Sequence, residues 1–281
     1  MELEQRKPEF AAQGLGVCTV SYDSVEVLAH FAARRGITFP MLSDPESDII
    51  RRFEVLNDTI SEGDARQYGI PHPGTFLVDE QGIVRHKFFE EKYVHRVTMA
   101  TILASSLGLS AAARSSSVQA DHATVTATAT EDRVRPGNRF TLIVEVTPAS
   151  GAHIYAPGAE RYGYHPLALT IEPPPSATVY PARLPAAEIL EFPAIGESVP
   201  AHTRSVRILA DVALGSRQEL ADALAAGSLT IRGRLSLQVC DEAECYAPQD
   251  LPLSWEMILE PMDTERVPEG MRREARSTKP A

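Results

Sequence analysis

The chain has 281 residues, 43% hydrophobic and 23% charged, with a formal net charge of −11. That balance belongs to a globular protein long enough for two cores and excludes a disordered chain. The negative charge argues against nucleic acid or an anionic membrane surface as partner, and no apolar run approaches the length of a membrane span.

The opening, Met1 to Lys7, has no apolar core of the kind a secretion signal carries, so no export address is expected in the sequence as written. Gly16–Tyr22 is a short β-branched run typical of a buried strand, with Cys18 at its centre as an inert packing residue. Ser24 stands where a helix N-cap belongs, Glu26 lies in the first turn, and Val27, Leu28 and Phe31 follow at helical spacing until Gly36. Phe39–Leu42 reads as a strand and Pro45–Val55 as a helix opened by Asp44-Pro45. Thr75–Val78 and Ile83–Phe89 form a hairpin about Asp79–Gly82, and a helix from about Val94 to Leu107 ends at Gly108. This alternation predicts an α/β domain with a mixed sheet over residues 1–109.

Residues 110–117 are small and polar, as linkers are. Beyond them Thr124–Thr130, Arg139–Thr147, Ser205–Val212, Leu229–Val239 and Leu251–Leu259 alternate apolar and polar residues, with Pro173-Pro174-Pro175 among the turns and one helical insertion at Ser216–Ala226. That pattern predicts a β-sandwich over 118–262, followed by a charged tail, 263–281, expected to be disordered.

Three cysteines, one far from the other two, do not make a disulfide framework. Cys240 and Cys245 bracket Asp241-Glu242-Ala243-Glu244 between two strand-like runs, so they face each other across a hairpin at a separation a disulfide can close. A structural bridge, a pair of metal ligands and a redox couple all fit that placement. A bridge over about six residues would add only about 2 kcal/mol in the chain-entropy account, which favours chemistry. Zinc needs four ligands, and His153 and His202 could join only through folding; with His165 they are read as packing or surface residues, and no metal or cofactor is expected. Asp241, Glu242 and Glu244 would raise a nearby thiol's pKa, which suits exchange inside a docked complex better than peroxide scavenging.

The stretches Gly151–Pro157 (GAHIYAP), Tyr164–Leu167 (YHPL) and Leu237–Cys240 through Cys245–Pro248 resemble the amino-terminal periplasmic domain of the thiol–disulfide interchange protein DsbD, over about residues 118–260. The resemblance implies an immunoglobulin-like sandwich whose cysteine pair passes reducing equivalents to thioredoxin-like protein partners outside the cytoplasm. Cys245 would form the mixed disulfide and Cys240 resolve it. An aromatic cap residue shields the pair in that family, and Phe192 is the candidate here.

Val20–Ser24, Gly36–Asp44 and Gly69–Asp79 (GIPHPGTFLVD) resemble the AhpC/TSA redoxin branch of the thioredoxin superfamily, over roughly residues 1–107. The resemblance sets Pro73 at the cis-proline position, with His72 as a turn residue beside it. It also sets the family's nucleophilic cysteine ahead of Met1. The first domain is therefore expected to lack a strand and its catalytic helix start, and to expose a sheet edge. The combined expectation is an α/β thioredoxin-like domain, incomplete at its N-terminus, then an all-β immunoglobulin-like sandwich. Its activity would be thiol–disulfide exchange through Cys240 and Cys245. Two other readings stay open: an antioxidant peroxidase whose nucleophile lies upstream, and a non-catalytic binding module.

Overall fold

A computed structural model describes residues 2–61, 64, 67–89, 96–107, 115–174, 176–193, 196–241, 243–265 and 267–271, with the side chains of 105–107 left aside. The chain divides into two compact units, Met1–Gly108 with Asp263–Ala281, and Leu109–Met262.

In the first unit Ser24 caps the helix Val25–Arg35, its side chain accepting the Val27 amide, and Gly36 ends it at φ 63°. That left-handed value is open to glycine at little cost, which is why the helix stops there. The next helix is shorter than the sequence suggests, Asp48–Arg52 against an expected Pro45–Val55. The buried Asp44 carboxylate accepts the amides of Asp48 and Ile50, fixing where the helix begins, and Glu54 at φ 56° closes it. Glu2, on the helix Glu2–Ala12, caps the helix Met99–Leu107 through the amides of Met99 and Ala100. This helix begins later than the expected start near Val94: Arg96–Val97 is a strand and the helix opens at Met99, while Val94 itself lies outside the described residues. Asp263 pairs with Arg34 and Arg35, and Glu265 with Arg34. The rest of the tail, 272–281, also falls outside the described residues.

The mixed sheet of this unit is present as two pieces. Thr19–Ser21 runs parallel to Met41–Ser43, and Gly74–Val78 runs antiparallel to Val84–Phe89. Among the described residues each piece keeps an unpaired edge. Two expectations need correction here. Cys18 is exposed and precedes the strand, because the β-ladder starts only at Thr19, whose amide bonds Pro40. No cis peptide bond occurs among the described residues, so the His72–Pro73 bond is trans. Pro71 bridges Leu56, the His72 amide bonds Val55, and the chain runs straight into Gly74–Val78. A trans X–Pro bond, the intrinsically favoured isomer, continues that extended path, whereas a cis bond would turn it.

The second unit is the expected sandwich. One sheet carries Ala177–Val179, Val206–Leu214, Asn138–Pro148, Ala123–Ala129 and Ser116–Ala120 in that order, all antiparallel. Ser116 and Ser117, read from sequence as the end of a linker, are paired with Ala127 and Thr126, since small polar residues also suit an edge strand. The linker residues up to 114 are outside the described set. A second sheet sets Ala168–Glu172, Ser228–Leu237 and Gln249–Leu259 antiparallel, with Arg133–Val134 parallel at its edge. Ser228–Leu237 alternates exposed and buried residues along its length, so each sheet presents one apolar face. Val125, Phe140, Leu142, Ile231, Leu235 and Trp255 from the two sheets share one core. Gly233 is required where the strands crowd: a Cβ there would lie 2.8 Å from the Thr170 carbonyl oxygen and 3.1 Å from the Trp255 ring. The helical insertion is confined to Ala221–Ala226.

A third, smaller sheet orders Glu188–Phe192, Glu197–His202, His153–Tyr155 and Val239–Cys240, all antiparallel. It carries the cysteine pair.

Candidate functional site: the Cys240–Cys245 pair

Cys240 ends the strand Val239–Cys240, and Cys245 faces it across an isolated antiparallel bridge with Cα atoms 4.1 Å apart. Hydrogen bonds from the Asp241 amide to the Glu244 carbonyl and from the Tyr246 amide to the Val239 carbonyl close the bend. The two sulfurs are joined in a disulfide, as their facing positions on a hairpin allow.

The sulfurs differ in access. Cys240 is 1% exposed and packs with Tyr155, Ala159, Val199 and Ala201, while Cys245 lies on an exposed stretch. Cys245 is thus the more accessible of the two sulfurs.

The Tyr155 hydroxyl lies 3.3 Å from Cys245 Sγ. Its ring stacks on Tyr164 with centroids 4.1 Å apart, and the Tyr164 hydroxyl donates to Glu197 at 2.9 Å. Burial, and then the neighbouring Tyr164, push the Tyr155 hydroxyl's pKa well above its ordinary value, so it stays protonated. Burial and the Glu197 carboxylate also raise that of Tyr164. Tyr155 can thus donate to a sulfur that has gained charge.

The acidic bend is organised internally. Asp241 accepts from the Tyr246 hydroxyl at 2.6 Å and from the amides of Ala243 and Glu244, which hold its carboxyl down at about 2. The same bond lifts Tyr246 to about 12, and Tyr246 stacks on His122 with centroids 3.6 Å apart. Asp241 therefore spends its charge on the bend itself. Glu242 lies outside the described residues.

Phe192 is half-buried against the Cys240 cluster, with its ring 6.0 Å from that of His153. His153 sits directly opposite Cys240 in the ladder, and His202 opposite Ile154. Groups of three or more metal-binding side chains are absent among the described residues. Pro73 belongs to the first unit. Sequence reasoning missed the Tyr155–Tyr164–Glu197 chain, although its two tyrosines stand inside the stretches that carry the DsbD resemblance.

A buried sulfur and an exposed one, joined at a sheet end beside a protonated tyrosine, define a thiol–disulfide site on an immunoglobulin-like sandwich. Residues 119–252 match the amino-terminal domain of thiol:disulfide interchange protein DsbD, and residues 1–87 match the AhpC/TSA family. The chain joins an AhpC/TSA-type redoxin segment to a DsbD-amino-terminal-type domain.

A peroxiredoxin-type protein of Mycobacterium tuberculosis is 40% identical over 78 residues, 26% of this chain and 46% of that one. Peroxiredoxin Bcp of Xanthomonas campestris is 35% identical over 77 residues, 27% of this chain and 47% of its own length. The chain thus spans about half the length of the curated relatives it matches. Among solved structures, the N-terminal periplasmic domain of ScsB from Proteus mirabilis aligns with 20% identity and a TM-score of 0.35, covering 49% of each chain. The two matched families and the closed cysteine pair support a thiol–disulfide redox role. No helix among the described residues is long and apolar enough to cross a membrane.

Proposed function

We propose that the protein relays reducing equivalents by thiol–disulfide exchange through Cys240 and Cys245, with thioredoxin-like proteins outside the cytoplasm as partners. The observation that carries the reading is the unequal exposure of the two sulfurs. Reduction begins when a partner thiolate attacks Cys245 Sγ. The Cys240–Cys245 bond breaks and its electron pair leaves on Cys240. A second thiol of the partner then releases Cys245, leaving the dithiol here and a disulfide there. Passing the pair on to an oxidised protein reverses these steps.

Phe192 acts in this reading as the shield over the pair, which its packing against the Cys240 cluster supports. With Cys240 and Cys245 paired, Cys18 is the remaining cysteine, and its thiol is exposed.

Trapping tests the reading. Cys240→Ser leaves the exposed Cys245 able to form a mixed disulfide that is not resolved, and should accumulate a covalent adduct with a thioredoxin-type partner on a non-reducing gel. Cys245→Ser should trap poorly, and Cys18→Ser should behave as the parent. Equal trapping by both single variants, or by neither, would remove the relay.

A further inference from the structure

We infer that His153 is the partner Cys240 acquires when the disulfide opens, so that the imidazole favours the dithiol form and assists departure of the Cys240 sulfur. The inference rests on the pair being redox-active. His153 and Cys240 are register partners on adjacent antiparallel strands, so their side chains leave the sheet on the same face. His153 is 8% exposed, its Nε2 is buried with no hydrogen-bond partner, and its ring meets Tyr155 edge-on at 5.2 Å.

A buried polar nitrogen without a partner is costly, and a disulfide sulfur is a poor acceptor that does little to relieve it. A thiolate in the same place is a strong one. When an incoming thiolate bonds to Cys245 Sγ, the old S–S bond breaks and its electron pair goes to Cys240 Sγ. The Nε2–H tautomer of His153 donates to that anion without giving up its proton and holds Cys240 as the thiolate, while the proton of the partner's second thiol ends on Cys245. Burial holds the imidazole's pKa below its ordinary value against the pull of the Asp241 carboxylate. The unmatched nitrogen of the oxidised state thus finds its match in the reduced one.

His202 is an internal control. It too is buried with Nε2 unpartnered, but it pairs with Ile154, the residue after His153, and so lies on the opposite face of the same sheet.

The test is the reduction potential of the whole chain and its variants, equilibrated with dithiothreitol and glutathione buffers. His153→Phe should shift the exchange constant about tenfold toward the disulfide, which is about 30 mV more negative. His153→Gln, which keeps a donor, should recover most of that shift, and His202→Phe should leave the potential in place. A packing role would weaken both redox forms of His153→Phe equally and leave the potential unmoved, which would overturn the inference. Should His153→Phe fail to fold, the parent protein decides. Its His153 Nε2 resonance must shift on reduction, and an unchanged resonance overturns the inference. A parent pair that cannot be reduced at all sinks the relay itself, a result distinct from an unmoved potential.

Discussion

The two units of the chain are built from different secondary structure, helices with short strands in the first and mostly strands in the second. In the sandwich, long strands bury alternate residues into a shared core, and the pair-bearing sheet packs a second cluster about Cys240. In the redoxin-type unit the strands are short, the sheet is present as two pieces, and Val20 and Leu42 stay 38% and 45% exposed. Positioned sulfur chemistry accompanies the first arrangement: one cysteine packed, one accessible, five residues apart. The second holds a single exposed thiol.

Core truncation breaks that comparison most directly. Phe140→Ala, at a fully buried position, should cost about 3–5 kcal/mol of the sandwich's stability, measured by denaturant unfolding. Val20→Ala should change stability by no more than about 0.5 kcal/mol. Similar losses at the two sites would mean that the redoxin-type unit is packed as tightly as the sandwich.

Asp211 sharpens the picture within the sandwich. It is 4% exposed and receives Arg139, Arg183 and Thr141. Burial pushes its carboxyl up, but the bonds from Arg183, Thr141 and Arg139 outweigh it, and the pKa ends below the ordinary value. The stabilisation is therefore present above the unfolded carboxyl's pKa of about 3.9 and is lost as pH falls through the lower folded value. Asp211→Ala should cost about 1.5–3 kcal/mol near neutral pH, since it removes the charge-assisted bonds from Arg183, Thr141 and Arg139, and the loss should shrink in acid. A pH-independent loss would contradict this.

The smallest effect concerns the bend. Tyr246→Phe removes the bond that does most to hold Asp241 at about 2, so the carboxyl should titrate nearer the ordinary range, as followed by NMR. An unmoved titration would leave the backbone amides as the whole cause.

The sequence made much of this legible where periodicity or a specific motif was strong. The strands about Arg139–Thr147 and Leu229–Val239 announce themselves by alternation, the Ser24 cap by residue type, and the facing of Cys240 and Cys245 by the hairpin between two strand runs. What stayed hidden depends on distant partners. Asp44 shortening a helix, Thr19 opening its ladder one residue after Cys18, and the trans path through Pro73 each follow from tertiary contacts. Tyr155, Tyr164 and Glu197 form a chain that ends at the Cys245 sulfur, from positions up to 42 residues apart, a meeting that no local pattern encodes.

The central claim is most directly tested by the reduction potential of the Cys240–Cys245 couple, from thiol quantification across glutathione and dithiothreitol buffers. The account predicts a reversible two-electron transition above about −300 mV, the level below which structural disulfides typically fall, with the sandwich still folded once both sulfurs are free. A pair that resists reduction to lower potentials, or opens only as the domain unfolds, would make it a structural bridge and contradict the account.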